Sequence, residues 1–236
     1  MRLDKYLVTN ELIFSRNKAQ EIIKRGYVKV NGDIVKKPSF KLSEHDNVEV
    51  LRNEKYVSRA AYKLKYYLDR YGLDFSGKKV LDIGSSTGGF TQVALESGAQ
   101  KVVSVDVGRE QLHFTLREHP NIELYENTDI RDFIYSEKFD AIVSDVSFIS
   151  LLKIINKINT LAKDDIILLF KPQFEVGREA KRDRKGVVID ENAIHESKDR
   201  FEKECTMLGW KLLRSEESEI KGKEGNTEFI YHFKKV

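Results

Sequence analysis

From Lys79 to Phe233, short runs of β-branched and aliphatic residues alternate with longer stretches whose apolar positions recur every three or four residues. The runs predict strands at Lys79–Ile83, Lys101–Asp106, Ile122–Tyr125, Asp140–Ser144, Ile166–Phe170, Trp210–Ser215 and Glu228–Phe233. The periodic stretches predict helices over about Gly88–Ser97, Glu110–Glu118, Leu151–Leu161 and Ala193–Leu208. Strands apolar on both faces and separated by helices imply an α/β fold with a doubly wound, mainly parallel sheet of seven strands. No helix separates the last two strands, which predicts an antiparallel hairpin at one edge. Ahead of the first strand, Ser58 is the expected N-cap of a helix with Ala61, Leu64, Tyr67, Leu68 and Tyr71 on one face, ended by Gly72. Lys63 lies beside that stripe, where a lysine is ordinarily a surface residue.

Residues 1–51 follow another pattern. Leu3, Tyr6 and Leu7 mark a short helix, and Ser15 caps a second whose stripe is Ala19, Ile22 and Ile23 and whose stop is Gly26. Tyr27–Val30, Asn31-Gly32 and Asp33–Val35 form a hairpin with a type I′ turn, and Asp46–Leu51 adds an alternating strand. The chain is therefore expected to hold a small domain (1–51), a polar linker (52–57) and a large domain (58–236).

Composition adds three constraints. A 40% apolar share supports a packed core, and 3 prolines and 14 glycines argue against a disordered chain. The single cysteine, Cys205, excludes an internal disulfide, and the five histidines form no metal-spaced cluster, so no metal is expected. The start carries no apolar signal region, and Ile166–Phe170 is far too short to cross a bilayer, so a cytoplasmic protein without membrane association is expected. The net charge of +3 is unevenly spread: residues 1–57 carry +4 and the remainder −1. A polyanion-binding module joined to a near-neutral body fits that distribution.

The candidate chemistry centres on Val80-Leu-Asp-Ile-Gly-Ser-Ser-Thr-Gly-Gly-Phe90, an apolar strand turning through glycines into a helix. Such a turn aims backbone N–H groups at a ligand beyond the strand ends. Asp106 ends the next strand, where a carboxylate can take ribose hydroxyls, and Asp129 follows the third. The dinucleotide fingerprint needs a second glycine where Ser86 stands, so a phosphate-free nucleoside, S-adenosylmethionine, is favoured over NAD. Lys63, Asp145, Lys171 and Glu228 fall at or near the same rim. Asp145 and Lys171 end adjacent strands, so they are expected to meet. The run Arg178–Lys185 is either a solvated loop or an RNA contact.

The residues Arg2-Leu-Asp4, Ser15-Arg16, Ala19, Gly26, Val28, Val30-Asn31-Gly32 and Lys37-Pro38 resemble the S4 RNA-binding domain. The four charged residues resemble the tetrad of FtsJ-like ribose 2′-O-methyltransferases, a class I, Rossmann-like fold. Adding Ser58–Leu64, Ser144–Ser150, Lys171–Glu175, Lys185–Val188 and Gly225–Phe229, the whole chain resembles the TlyA family of haemolysin-related ribosomal RNA methyltransferases. Its linker reads Glu54-Lys-Tyr-Val57 where that family often has Arg-x-Trp-Val.

The resemblance implies 2′-O-methylation of ribosomal RNA, with a cytidine of 23S rRNA as the expected target of this short type, by a monomer acting on the RNA or a ribosomal subunit. It implies catalytic roles for Lys63, Asp145, Lys171 and Glu228. Lys171 is the candidate base, which requires burial or a second cation such as Lys63 to favour its neutral amine, while Asp145 and Glu228 orient the lysines. It implies cofactor contacts at Asp82, Gly84, Ser85, Ser86, Thr87, Gly88, Gly89, Phe90, Asp106, Val107, Asp129, Ile130 and Asp145. RNA contacts are implied at Arg2, Lys5, Arg16, Lys18, Lys24, Arg25 and Lys29. Three alternatives stand beside this reading: a base N-methyltransferase, for which Asp145-Val-Ser-Phe148 is a faint match lacking both prolines of the expected motif; a cytolysin; and a ribosome-binding factor without catalysis. A cytosine C5 mechanism would need a cysteine nucleophile, and Cys205, beside Met207 and Leu208, is expected in the core.

Overall fold

Two sheets organise the chain, one of three strands and one of seven. The computed structural model describes residues 1–10, 12–13, 15–51 and 56–236. Most of the expected linker, 52–55, including Glu54 and Lys55 of its motif, lies outside the described residues. The chain divides into two units, Met1–Val57 and Ser58–Val236.

In the first unit, α1 (Leu3–Thr9) and α2 (Arg16–Lys24) accompany β1 (Val28–Val30), β2 (Asp33–Ile34) and β3 (Val48–Val50), in the antiparallel order β2-β1-β3. The Ser15 hydroxyl accepts the Lys18 N–H at 3.2 Å and caps α2. Asn31 and Gly32 have φ of 53° and 90°, the left-handed pair that a type I′ turn requires. Leu3, Leu7, Ala19, Ile22, Ile23 and Val28 are buried together. Beside them the buried Asp4 receives Arg2 at 2.9 Å, Arg16 at 3.0 Å and Gln20 at 3.0 Å. These bonds, Arg2's foremost, hold its carboxyl well below the usual range. Of the residues expected to meet RNA, Arg2, Lys5, Arg16, Lys24 and Arg25 are exposed, and Lys18 and Lys29 are half-buried.

The second unit is a doubly wound α/β domain. It runs α3 (Ala61–Tyr71), β4 (Lys79–Ile83), α4 (Gly89–Glu96), β5 (Lys101–Val105), α5 (Phe114–Arg117), β6 (Ile122–Tyr125) and β7 (Phe139–Ser144). A 3-10 turn (Leu151–Lys153) leads to α6 (Ile155–Leu161), β8 (Ala162–Phe170), α7 (Pro172–Glu175), α8 (Glu191–Met207), β9 (Trp210–Glu217) and β10 (Phe229–Lys235). The sheet order is β6-β5-β4-β7-β8-β10-β9, parallel from β6 to β8, with β10 antiparallel between β8 and β9. Leu81, Ile83, Val103, Ile142, Ile166, Leu168 and Tyr231 pack against Ile155 and Ile158 of α6 and Phe201 and Cys205 of α8. On α3, Tyr67 meets His232 of β10 at 3.0 Å. Burial of Cys205 pushes its thiol far above the usual range, which suits a core residue and not a nucleophile.

Four expectations need correction. Ser58 does not cap α3: Ala60 precedes its first residue, while the Ser58 hydroxyl lies against Gly89, where a Cβ would come within 2.2 Å of it. The helix expected over Glu110–Glu118 shrinks to Phe114–Arg117. The cause is Glu126, whose carboxylate accepts the N–H groups of Glu110, Gln111 and Leu112 and holds that stretch as a loop. The helix expected over Leu151–Leu161 is broken at Ile154, because Glu175 takes the Leu151 N–H at 2.8 Å and fixes a tighter first turn. Lys63 is buried, at 7% exposure, and not on the surface. The short α7, opened by Pro172, was too brief for periodicity to reveal.

Candidate active site

Four elements deliver four charges to one point. Lys63 stands on α3, Asp145 directly after β7, Lys171 directly after β8 and Glu228 directly before β10. Parallel pairing of β7 with β8 brings the first two strand ends together, and pairing of Phe229 with Phe170 sets Glu228 across from Lys171. Lys63 Nζ donates to Glu228 Oε2 at 2.6 Å and lies 3.7 Å from Asp145 Oδ2. Lys171 Nζ lies 2.5 Å from Asp145 Oδ1 and donates to Ser147 Oγ at 2.8 Å. The order is therefore Glu228–Lys63–Asp145–Lys171, anion and cation alternating, with side chains between 3% and 12% exposed. Charges so far from water persist only when each has a counter-charge. Gln173 Nε2 adds a bond to Glu228 Oε1 at 3.2 Å.

Next to this chain of charges a cleft of about 520 Å³ opens at the C-terminal ends of the parallel strands. Gly84 and Ser86 line it after β4, Asp106 and Val107 after β5, Thr128, Asp129 and Ile130 after β6, and Asp145 to Ile149 after β7. A Cβ on Gly84 would stand 3.1 Å from the Val146 backbone, so only glycine lets these two loops approach. Ser86, at φ 46°, gives its N–H to Asp106 Oδ2 at 2.7 Å, and Gly108 N–H goes to Oδ1 at 2.6 Å. The Asp106 carboxylate is thus fixed in place with a lone pair free on each oxygen. Of the residues expected to touch a cofactor, Asp82, Ser85, Gly88, Gly89 and Phe90 are buried away from the cleft lining, and Thr87 accepts the His113 N–H at 3.1 Å.

The model of the FtsJ-like methyltransferases matches residues 56–235, and that of the S4 domain matches residues 1–48. The chain belongs to the FtsJ-like methyltransferase family. It is 47% identical to the 23S rRNA (cytidine-2'-O)-methyltransferase TlyA of Campylobacter jejuni and 39% identical to Hemolysin A of Brachyspira hyodysenteriae, in each case across 99% of both chains. It is 35% identical to the 16S/23S rRNA (cytidine-2'-O)-methyltransferase TlyA of Mycobacterium tuberculosis, over 97% of this chain and 88% of that one.

Within this FtsJ-like domain the acid beneath the glycine turn has the most perturbed environment of the cleft. Asp82 is fully buried. Its Oδ2 accepts Thr91 Oγ1 at 2.6 Å, and its Oδ1 has no partner. Burial pushes its carboxyl up to about 7 against the pull of Thr91, and the charges of Asp145 and Asp106 add to the rise. An unfolded aspartate ionises near pH ~3.9. Asp82 therefore contributes stability that is fully present below that pH and is lost as pH rises through about 7. With no ligand added, Asp82→Asn is expected to melt above the wild type at pH 8 and together with it at pH 4; parallel curves across that range would refute the assignment.

The sequence pattern passed over Ser147, Gln173, Gln111 and Phe148. Ser147 and Gln173 each stand two residues beyond a tetrad member, and that spacing was the available signal. Gln111 accepts Ser86 Oγ at 3.2 Å and lines the cleft from the loop expected to be helical. Phe148 lines the cleft with 92% of its surface exposed, at φ 65°, a conformation that costs a bulky residue on the order of 1–3 kcal/mol.

Proposed function

We propose that this chain is an S-adenosylmethionine-dependent methyltransferase acting on a ribose 2′-hydroxyl of ribosomal RNA, with a cytidine of 23S rRNA as target. The alternating Glu228–Lys63–Asp145–Lys171 network at the edge of the cleft is the observation that supports this reading best. The cleft fits the donor. Asp106 offers free lone pairs to ribose hydroxyls, Asp129 lies one strand further along, and the unpaired Asp82 Oδ1 supplies negative potential beneath the glycine turn, suited to an ammonium group. When bound, S-adenosylmethionine supplies an electrophilic methyl group on a sulfonium.

The remaining work falls to the chain's own residues. A ribose hydroxyl is a weak acid, so its oxygen needs charge stabilisation or a base as it becomes nucleophilic. Lys171 lies where two strand ends meet, fixed by Asp145 and Ser147, and meets that need. Lys63 keeps Asp145 and Glu228 from facing each other unscreened. Exposed Phe148 at the cleft edge offers a ring face to a nucleobase. Much of the rate gain is then positional: a rigid set of charges meets an oriented hydroxyl.

The test is methylation of 23S rRNA and of ribosomal subunits with labelled donor, followed by mass mapping of nuclease digests. Label on a cytidine ribose is expected. Label on a base would favour the N-methyltransferase reading, and no label on any ribosomal particle would leave only a binding role. The hemolysin name of a relative describes that protein. Among the described residues here, no helix is long and apolar enough to cross a membrane.

A further inference from the structure

Two loops flank the tetrad and are stitched into a single rim. Residues 182–188 form a tight hairpin: Asp183 Oδ1 accepts the N–H groups of Lys185 at 2.7 Å and Val187 at 2.9 Å, and Arg182 bridges to Val188. The hairpin's base is tied to the catalytic segment, because Arg182 Nη2 donates to the carbonyls of Gln173 at 3.3 Å and Gly177 at 3.0 Å. Gln173 is the residue whose amide holds Glu228. The second loop, between β9 and β10, is closed by Gly222 N–H on the Asn226 carbonyl at 2.9 Å. Buried Asn226 then joins the two, its Oδ1 accepting the Val188 N–H at 3.0 Å. Arg59, just before α3, donates to the Lys221 carbonyl at 3.0 Å and fixes the outer edge of the second loop.

This rim carries exposed cations without counter-charges. Arg178, Lys181, Arg184 and Lys185 come from the first segment, and Lys221 and Lys223 from the second. None of them is in an ion pair among the described residues. Elsewhere on the same unit surface cations commonly are matched, as Arg131 is by Asp129 and Lys163 by Asp140. Only Glu179 and Glu224 oppose the rim charge as exposed acids, since Asp183 spends an oxygen on its own turn. A unit of net charge −1 (58–236) thus holds a local positive edge on backbone that is hydrogen-bonded to the tetrad.

We propose that the rim formed by residues 178–188 and 221–226 binds the phosphates of the RNA strand on either side of the target ribose, independently of the S4 unit. This rests on the function proposed above. Fixed backbone with mobile lysine and arginine tips suits phosphate contact, which positions a strand without reading its bases. Its energy comes largely from release of counterions.

The test uses the full chain with Arg184→Glu/Lys185→Glu, Lys221→Glu/Lys223→Glu, and the matching Gln variants as milder neutralisations. Donor binding by calorimetry and thermal melting serve as controls and are expected to match the wild type. Binding of a 23S rRNA transcript is expected to weaken about tenfold per charge-reversed pair, and the slope of log affinity against log salt to fall by about 1. In methylation assays the KM for RNA should rise while kcat at saturating RNA changes less than about twofold. Unchanged affinity and salt slope in both folded double variants would overturn the proposal. A wild type that binds the transcript but transfers no methyl would sink the functional reading alone, because the salt slope still decides the rim.

Discussion

Lys171→Ala is expected to lower kcat by about 10³-fold or more, while the donor dissociation constant moves less than about threefold; groups placed for proton transfer or charge stabilisation are worth roughly 10²–10⁴ each. The separation of the two effects follows from where the side chain lies. Lys171 is 6% exposed, and its ammonium is engaged by Asp145 and Ser147; it is absent from the cleft lining that would receive the donor. Removing it therefore leaves Gly84, Asp106 and Asp129 undisturbed. Lys171→Met keeps most of the volume and should be as inactive as the alanine variant, which excludes a packing defect as the cause. Single-turnover methylation of 23S rRNA with saturating donor gives the rate, and calorimetry gives the affinity. Near-normal turnover in either variant would remove Lys171 from the chemistry.

The pairing of Lys171 with Asp145 was legible because both were expected at the ends of neighbouring parallel strands, and strand ends are the part of this fold that periodicity locates best. The same logic reached the glycine turn and Asp106. It failed for Lys63. A lysine next to an apolar helical stripe is ordinarily solvated, and nothing on α3 itself says that Glu228, 165 residues away, will cover it. That contact exists because β10 inserts antiparallel between β8 and β9 and so returns Glu228 to the centre of the sheet. The sequence predicted a hairpin at the edge; that β10 would be its inner strand was invisible to local pattern.

The errors in helices share a cause of the same kind. Glu126 and Glu175 are each far in sequence from the segment they reshape. Glu126 takes amides at 110–112, and Glu175 takes Ser150 Oγ at 2.6 Å as well as the Leu151 amide. Both stretches have helical spacing, and in both a remote carboxylate offers the first N–H groups a better acceptor than the helix does. Each loop so formed borders functional residues, Gln111 in one case and Ser147 and Phe148 in the other. Tertiary hydrogen bonds override propensity where the cleft needs a loop.

Removing the Lys63 ammonium should cost stability as well as activity. In Lys63→Met the Glu228 carboxylate, 2% exposed, keeps only the Gln173 amide at 3.2 Å. Deleting one member of a buried pair typically costs about 3–5 kcal/mol, because the remaining charge is left uncompensated. For a domain of this size each kcal/mol lowers the melting temperature by roughly 2–4 °C, so a fall on the order of 10 °C is expected. The double variant Lys63→Met/Glu228→Gln removes the stranded charge and should recover most of that loss in thermal melts. Activity should not return with it, since Asp145 would still lack its second cation, at 3.7 Å in the wild type, and would no longer hold Lys171 in the same balance of charges. A double-mutant cycle separates the two consequences: strong coupling in stability, none in rescue of turnover. Melting of Lys63→Met at the wild-type temperature would show that water or a neighbouring group compensates Glu228, and would end the description of these four residues as one interdependent network.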